Sequence, residues 1–176
     1  MPYVEGDDLH PMSNVEKMSS GRPLTDADRE PWLKLIRATA EHMIIETDGN
    51  SKRGVVISCS ALKRCYRDIL RGLGQQGHTN NIIPEHSQLK SANPILKTFF
   101  VHIEGTRDVL MDRMMKRTGH FMKPSMLDSQ LETLENPAQE EDVIVISLTD
   151  SSEDQVRAAQ QGLRRALHMP DDSTIL

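Results

Sequence analysis

Three short apolar runs do most to limit what this chain can fold into: Gly54-Val55-Val56-Ile57-Ser58-Cys59, Thr98-Phe99-Phe100-Val101-His102-Ile103 and Val143-Ile144-Val145-Ile146. Each is continuous rather than alternating, the pattern of a strand covered on both faces, and each is followed by residues at helical spacing. A shorter strand-like piece, Tyr3-Val4-Glu5, precedes them. Over 31–47, Trp32, Leu33, Ile36, Ala40, Met43 and Ile44 fall on one helical face. Pro31 suits a first helical turn, so 25–30 reads as a separate short turn. Further helices are predicted over 62–71, over 107–117, from the capping box Ser125-Met126-Leu127-Asp128, and from Ser152 to near His168. Strands alternating with helices predict an α/β fold, a three-layer parallel sheet with helices on both faces. At 176 residues the chain suits one domain, read over 1–168. The polar stretch 74–94 reads as a long surface loop and 169–176 as a flexible tail.

Composition narrows the function classes. Twenty-one basic residues against 26 acidic ones leave a net charge of −5, which disfavours a nucleic-acid or membrane-surface partner. No apolar run is long enough to span a bilayer. The opening Met1-Pro2-Tyr3-Val4-Glu5-Gly6-Asp7-Asp8 lacks the basic and apolar regions of a signal peptide. Two cysteines, Cys59 and Cys65, make neither a disulfide framework nor a zinc spacing. A reducing, cytoplasmic setting is the expectation.

In a parallel sheet the loops after each strand share one edge, where ligands bind. That topology gathers Asp7, Asp8, His10 and Lys63 near one crevice. Lys63, Arg67 and Arg71 recur at i, i+4 and i+8, either as a solvated helix face or as an anion site. Arg113, Lys116 and Arg117 cluster at another helix end, before Thr118-Gly119-His120-Phe121-Met122-Lys123-Pro124. Cations there suit the helix dipole, while the Gly- and Pro-bounded loop with Phe121 and Met122 suits a lid over a polyphosphate. Glu5, Asp7 and Asp8 read either as turn chemistry or as a magnesium-water site with a base for a substrate hydroxyl. Basic clusters facing carboxylates are equipment for phosphoryl transfer, yet no G-x-x-x-x-G-K-[ST] occurs in the sequence.

Five ordered motifs carry a resemblance. They are Glu5-Gly6-Asp7-Asp8-Leu9-His10-Pro11, Asn14-x-x-Lys17-Met18, Gly21-x-Pro23-Leu24-Thr25-Asp26-x-Asp28-Arg29-x-Pro31-Trp32-Leu33, Cys59-Ser60-Ala61-Leu62-Lys63-Arg64-x-Tyr66-Arg67-Asp68-x-Leu70-Arg71 and Arg117-x-Gly119-His120-Phe121-Met122-x-Pro124. Ser129-Gln130-x-x-Thr133-Leu134-Glu135 continues the run. Over 3–168 the chain resembles the gluconokinases, small P-loop sugar-acid kinases of the nucleoside-monophosphate-kinase-like group. The resemblance implies ATP-dependent phosphorylation of D-gluconate at its 6-hydroxyl, with Mg2+, feeding the pentose phosphate pathway. It implies that Asp7 orients or deprotonates the hydroxyl and that Glu5 holds the magnesium shell through water. His10, Arg29, Lys63, Arg67 and Arg71 then bind substrate, with Lys63 also catalytic. Arg113 lies against the adenine, and Arg117, also catalytic, closes over the phosphates with the substrate-binding His120 from a lid spanning about 106–136.

The family pattern begins with a strand, a P-loop and a helix, and this sequence matches only the portion beyond that helix. The expected fold is therefore a P-loop kinase sheet lacking its central strand. The strands at Val55 and Phe99 then keep unpaired apolar edges, prone to aggregation or to recruiting another chain as in a homodimer. Two function classes are open: a gluconokinase read without its first segment, or a catalytically inactive isoform that binds gluconate or a full-length partner. A generic anion-binding α/β domain is the third.

Overall fold

The computed structural model describes residues 1–45, 54–73, 96–116 and 125–169. They belong to two compact units, Met1–Lys97 and Thr98–Leu176. The loop read over 74–94, the lid loop 118–124 and most of the tail lie outside the described residues.

The first unit runs β1 (Tyr3–Glu5), a 3-10 turn (Gly6–Leu9), α1 (Met12–Ser19), α2 (Asp26–Ile45), β2 (Val56–Ser58) and α3 (Arg64–Arg71). β1 and β2 pair in parallel, Tyr3 against Val56, Val4 against Ile57 and Glu5 against Ser58. A parallel pair needs a long crossover, and α1 and α2 supply it. The core is built from the predicted face of α2, where Trp32, Leu33, Ile36 and Ala40 are buried together with Met18, Leu24, Leu62, Tyr66 and Leu70.

Two local features differ from the sequence expectation. The helix begins at Asp26, not at Pro31, and carries Pro31 inside it. Its start is set by Thr25 and Asp28: the Thr25 N–H donates to Asp28 Oδ2 at 2.7 Å, and the Asp28 N–H donates back to Thr25 Oγ1 at 3.3 Å. This reciprocal cap satisfies the first turn's exposed donors and outweighs the one hydrogen bond lost at the proline ring. The helix α1, absent from the sequence reading, starts directly after Pro11.

The second unit runs β3 (Phe100–Glu104), α4 (Arg107–Lys116), α5 (Ser125–Thr133), β4 (Val143–Ser147) and α6 (Ser152–Ala166). β3 and β4 pair in parallel from Phe100–Val143 to Glu104–Ser147. Ser151 caps α6, accepting from the Asp154 N–H at 3.2 Å. The helix α5 opens at Ser125, where the sequence places a helix start, and both oxygens of Asp128 accept from Arg107, at 2.6 and 2.9 Å. A guanidinium offers two parallel donors to such a carboxylate.

The chain is thus α/β with parallel strands, as expected, but the described strands form two two-stranded sheets where the sequence predicts one. Nor are the strands covered on both faces: Val56 is 50% and Ile103 47% exposed, with Val101 and Val145 also exposed. Both faces of a strand are hidden only where helices or another sheet pack above and below it.

Candidate functional site

The C-terminal ends of β1 and β2 meet through very short contacts. Gly6 lies so close to β2 that a Cβ on it would stand 2.1 Å from the Ser58 carbonyl oxygen. Only glycine fits there. The Ser58 hydroxyl donates to Glu5 Oε1 and accepts from the Gly6 N–H at 3.3 Å. The Tyr3 hydroxyl lies 2.8 Å from Glu5 Oε2 and 3.1 Å from Ser58 Oγ. Glu5 is thereby fixed at the end of β1, and the turn after it presents Asp7, half-exposed.

Behind Asp7 stands His10. Its imidazole, 3% exposed, places Nε2 3.9 Å from Asp7 Oδ1 and stacks on the Trp32 indole at 4.0 Å between centroids. Trp32 is pinned by its own Nε1–H, which donates to the Gly6 carbonyl at 2.8 Å. Burial, and secondarily the charge of Arg29, pushes the His10 pKa down to about 4. The ring is neutral at physiological pH. Desolvation disfavours the charged form, so protonation is easier in the unfolded chain. Stability from this residue is complete above about pH 6.5 and falls as the pH drops towards 4. Asp26, Asp28 and Asp128 are held below the ordinary carboxylate range by their cationic partners, and their contributions fade in stronger acid. Melting temperature followed against pH should therefore fall in two limbs. His10→Gln should flatten the upper one; an unchanged upper limb would mean that another group drives it.

A second cluster joins α2 to α3. Lys63, capping α3, places Nζ 2.8 and 2.9 Å from the two oxygens of Asp26, which also accepts from the Tyr66 hydroxyl. Arg29, buried, donates to the Leu24 carbonyl at 2.6 Å and lies over the Tyr66 ring at 5.7 Å. Arg67 is neither a solvated stripe nor an open anion hook. It is 2% exposed and donates to the carbonyls of Ala61 at 2.7 Å and Leu62 at 3.0 Å. Ala61 has a φ of 36°, a left-handed conformation that a β-carbon disfavours, so Arg67 holds the loop after β2 in a strained shape. Arg71 ends α3 at the far end from Lys63 and pairs with Asp68 at 2.8 Å.

Glu5, Asp7, His10, Arg29, Lys63, Arg67 and Arg71 thus all fall in the first unit. The structure brings Asp7 to His10, and Arg29 and Lys63 to Tyr66. Arg113 is in the second unit, donating to the Leu148 carbonyl, where the Gln155 amide also binds the carbonyls of Ser147, Leu148 and Asp150. Arg117 and His120 lie outside the described residues. The sequence reading named neither Asn14, Trp32, Asp26 nor Tyr66 as site-forming, although all four stand inside its quoted motifs.

Among the described residues no three His, Cys, Asp or Glu groups are placed to hold a metal ion directly. This donor set suits an ion that keeps most of its waters, as magnesium does. Burial raises the Cys59 thiol to about 11, which makes it a poor nucleophile. No described helix is long and apolar enough to cross a membrane.

The chain is 43% identical over 152 residues to a probable gluconokinase of Schizosaccharomyces pombe, covering 86% of this chain and 68% of that protein. It is 44% identical over 145 residues to the gluconokinase of Gluconobacter oxydans, covering 82% and 67%. The chain belongs to the gluconokinase family. The thermoresistant gluconokinase of Escherichia coli matches at 36% identity over 93% of this chain and 79% of its own length. Among solved structures, a gluconokinase from Sinorhizobium meliloti superposes with a TM-score of 0.69 at 41% identity, covering 93% of this chain and 77% of the other. An unliganded sugar kinase from Janibacter gives 0.70 at 34% identity, covering 97% and 84%. No protein-family model matches the chain.

Proposed function

We propose that the chain carries the sugar-acid side of a kinase that transfers phosphate from ATP to the 6-hydroxyl of D-gluconate. The observation that supports this reading best is the pairing of Asp7 with a buried neutral His10 at the end of β1, in a chain of the gluconokinase family. A half-exposed carboxylate can take the proton of an attacking hydroxyl. Arg29 and Lys63 supply positive charge for the substrate carboxylate; Arg67 shapes the loop beside them, and Arg71 adds charge along α3. The nucleotide side belongs to Arg113, with Arg117 and His120 acting from the lid at about 106–136. Magnesium, held through water by Glu5, would neutralise phosphate charge when bound. The working unit is then one kinase domain of P-loop type over 1–168. It acts in the cytoplasm on small molecules, with neither nucleic acid nor membrane as partner.

A second reading is favoured by one observation: the sequence contains no G-x-x-x-x-G-K-[ST]. On that reading the 176 residues bind gluconate without turning it over, alone or against a full-length copy.

The test of the assignment uses a form fused to a strand–P-loop–helix segment from a relative. There Asp7→Asn should cut kcat by about a hundredfold or more with little change in KM, since a general base acts in the transition state. Lys63→Ala should chiefly raise KM. Normal kinetics in both variants would overturn the assignment of the pocket.

A further inference from the structure

The side chain of Asn14 fixes where the hydrogen of His10 sits. Asn14, on α1, is 3% exposed, and its Nδ2 lies 2.8 Å from the main-chain carbonyl of Asp28. That acceptor requires an N–H, so the amide cannot be turned over. The same Nδ2 stands 3.3 Å from His10 Nδ1. An amide nitrogen only donates, so Nδ1 accepts and the neutral ring carries its hydrogen on Nε2. The stack on Trp32 opposes rotation of the ring.

Nε2, which carries the hydrogen, therefore lies 3.9 Å from Asp7 Oδ1, too far for a direct hydrogen bond. Two hydrogen bonds of about 2.8 Å through one bridging oxygen span a gap of that size. That oxygen must accept from Nε2–H and donate to the carboxylate. A hydroxyl does both, as does the water it would displace; an ionised carboxylate or phosphate oxygen cannot donate, and an ammonium cannot accept. Of the charged groups around the imidazole, Asp7 comes from the turn and Arg29 from α2.

We infer that His10, in the tautomer set by Asn14, and Asp7 form a two-point clamp for a hydroxyl group, with Asn14 as a positioning residue outside direct contact. Gluconate as the owner of that hydroxyl rests on the function proposed above; the clamp itself does not. The clamp directs the hydroxyl's proton at Asp7 and occupies one lone pair with Nε2–H, leaving the second lone pair of the oxygen available.

The test is nitrogen-15 NMR of the imidazoles in the 176-residue chain at neutral pH, with His10 assigned by its loss in His10→Gln. The ligand-free chain should show the Nε2–H tautomer. Asn14→Asp, whose carboxylate must accept from Nδ1, should move the hydrogen to Nδ1. Should that variant not fold, the wild-type spectrum decides alone, and a Nδ1–H or doubly protonated ring overturns the inference. D-gluconate, sorbitol and glycerol are then titrated in. A shift of the His10 signals with gluconate supports both the clamp and its proposed substrate. A shift with the neutral polyols alone supports the clamp and counts against gluconate. No shift with any of the three overturns the clamp. By calorimetry, His10→Gln, which keeps a donor near the Nε2 position, should retain affinity within about threefold, and His10→Leu should lose about tenfold.

Discussion

The purified 176-residue chain is expected to form no measurable 6-phosphogluconate from ATP and gluconate, while a fusion carrying a relative's strand–P-loop–helix segment turns over. Phosphoryl transfer leaves little covalent work to the protein; positioning and charge neutralisation do nearly all of it. The lysine that reaches the β- and γ-phosphates and the hydroxyl that ligates magnesium both belong to a motif this sequence does not contain. Single charge contributions of this kind are worth about a thousandfold or more in rate. A coupled assay for 6-phosphogluconate on both proteins decides the matter. Comparable turnover by the unfused chain would overturn the expectation.

Gly6→Ala should be the most damaging conservative substitution in the first unit. The added methyl carbon would stand 2.1 Å from a backbone oxygen of β2, and backbone cannot swing aside as a side-chain tip can. Relief requires β1 to move off β2, which also disturbs the Trp32 bond to the Gly6 carbonyl and the Ser58–Glu5 contact. The cost belongs at or beyond the upper end of the about 1–3 kcal/mol typical of overpacking. For a chain of this size that corresponds to roughly 10 °C in melting temperature. Circular dichroism melts of the two proteins side by side provide the check; a shift under about 2 °C, less than 1 kcal/mol would give, would mean that the strand contact is looser than described.

How much of this is legible in the sequence depends on the range of the interaction. The apolar spacing of Trp32, Leu33, Ile36 and Ala40 is local, and it predicts the buried face of α2 correctly. The start of that helix escapes a sequence reading because a proline is a strong local signal. The Thr25–Asp28 cap that overrides it is a matter of two side chains turning towards each other. Lys63, Arg67 and Arg71 share a spacing but not a fate. Asp26, 37 residues away in sequence, takes Lys63; two loop carbonyls take Arg67; Asp68 takes Arg71. No periodicity reports such partners. Asn14 stands within a motif yet draws no attention there, since an asparagine in a helix is ordinarily a surface residue. Its significance arises only when the folded chain sets it between the Asp28 carbonyl and His10.

The indole behind His10 has a further use. Trp32 is the sole tryptophan of the sequence, and it belongs to the unit Met1–Lys97. Its emission therefore reports on one half of the molecule, while helical dichroism reads α4, α5 and α6 of the other half as well. Denaturant curves by the two optical signals will superimpose if the halves melt as one cooperative body. They will separate if each half melts at its own midpoint, and the order of the midpoints then shows which half is the more fragile.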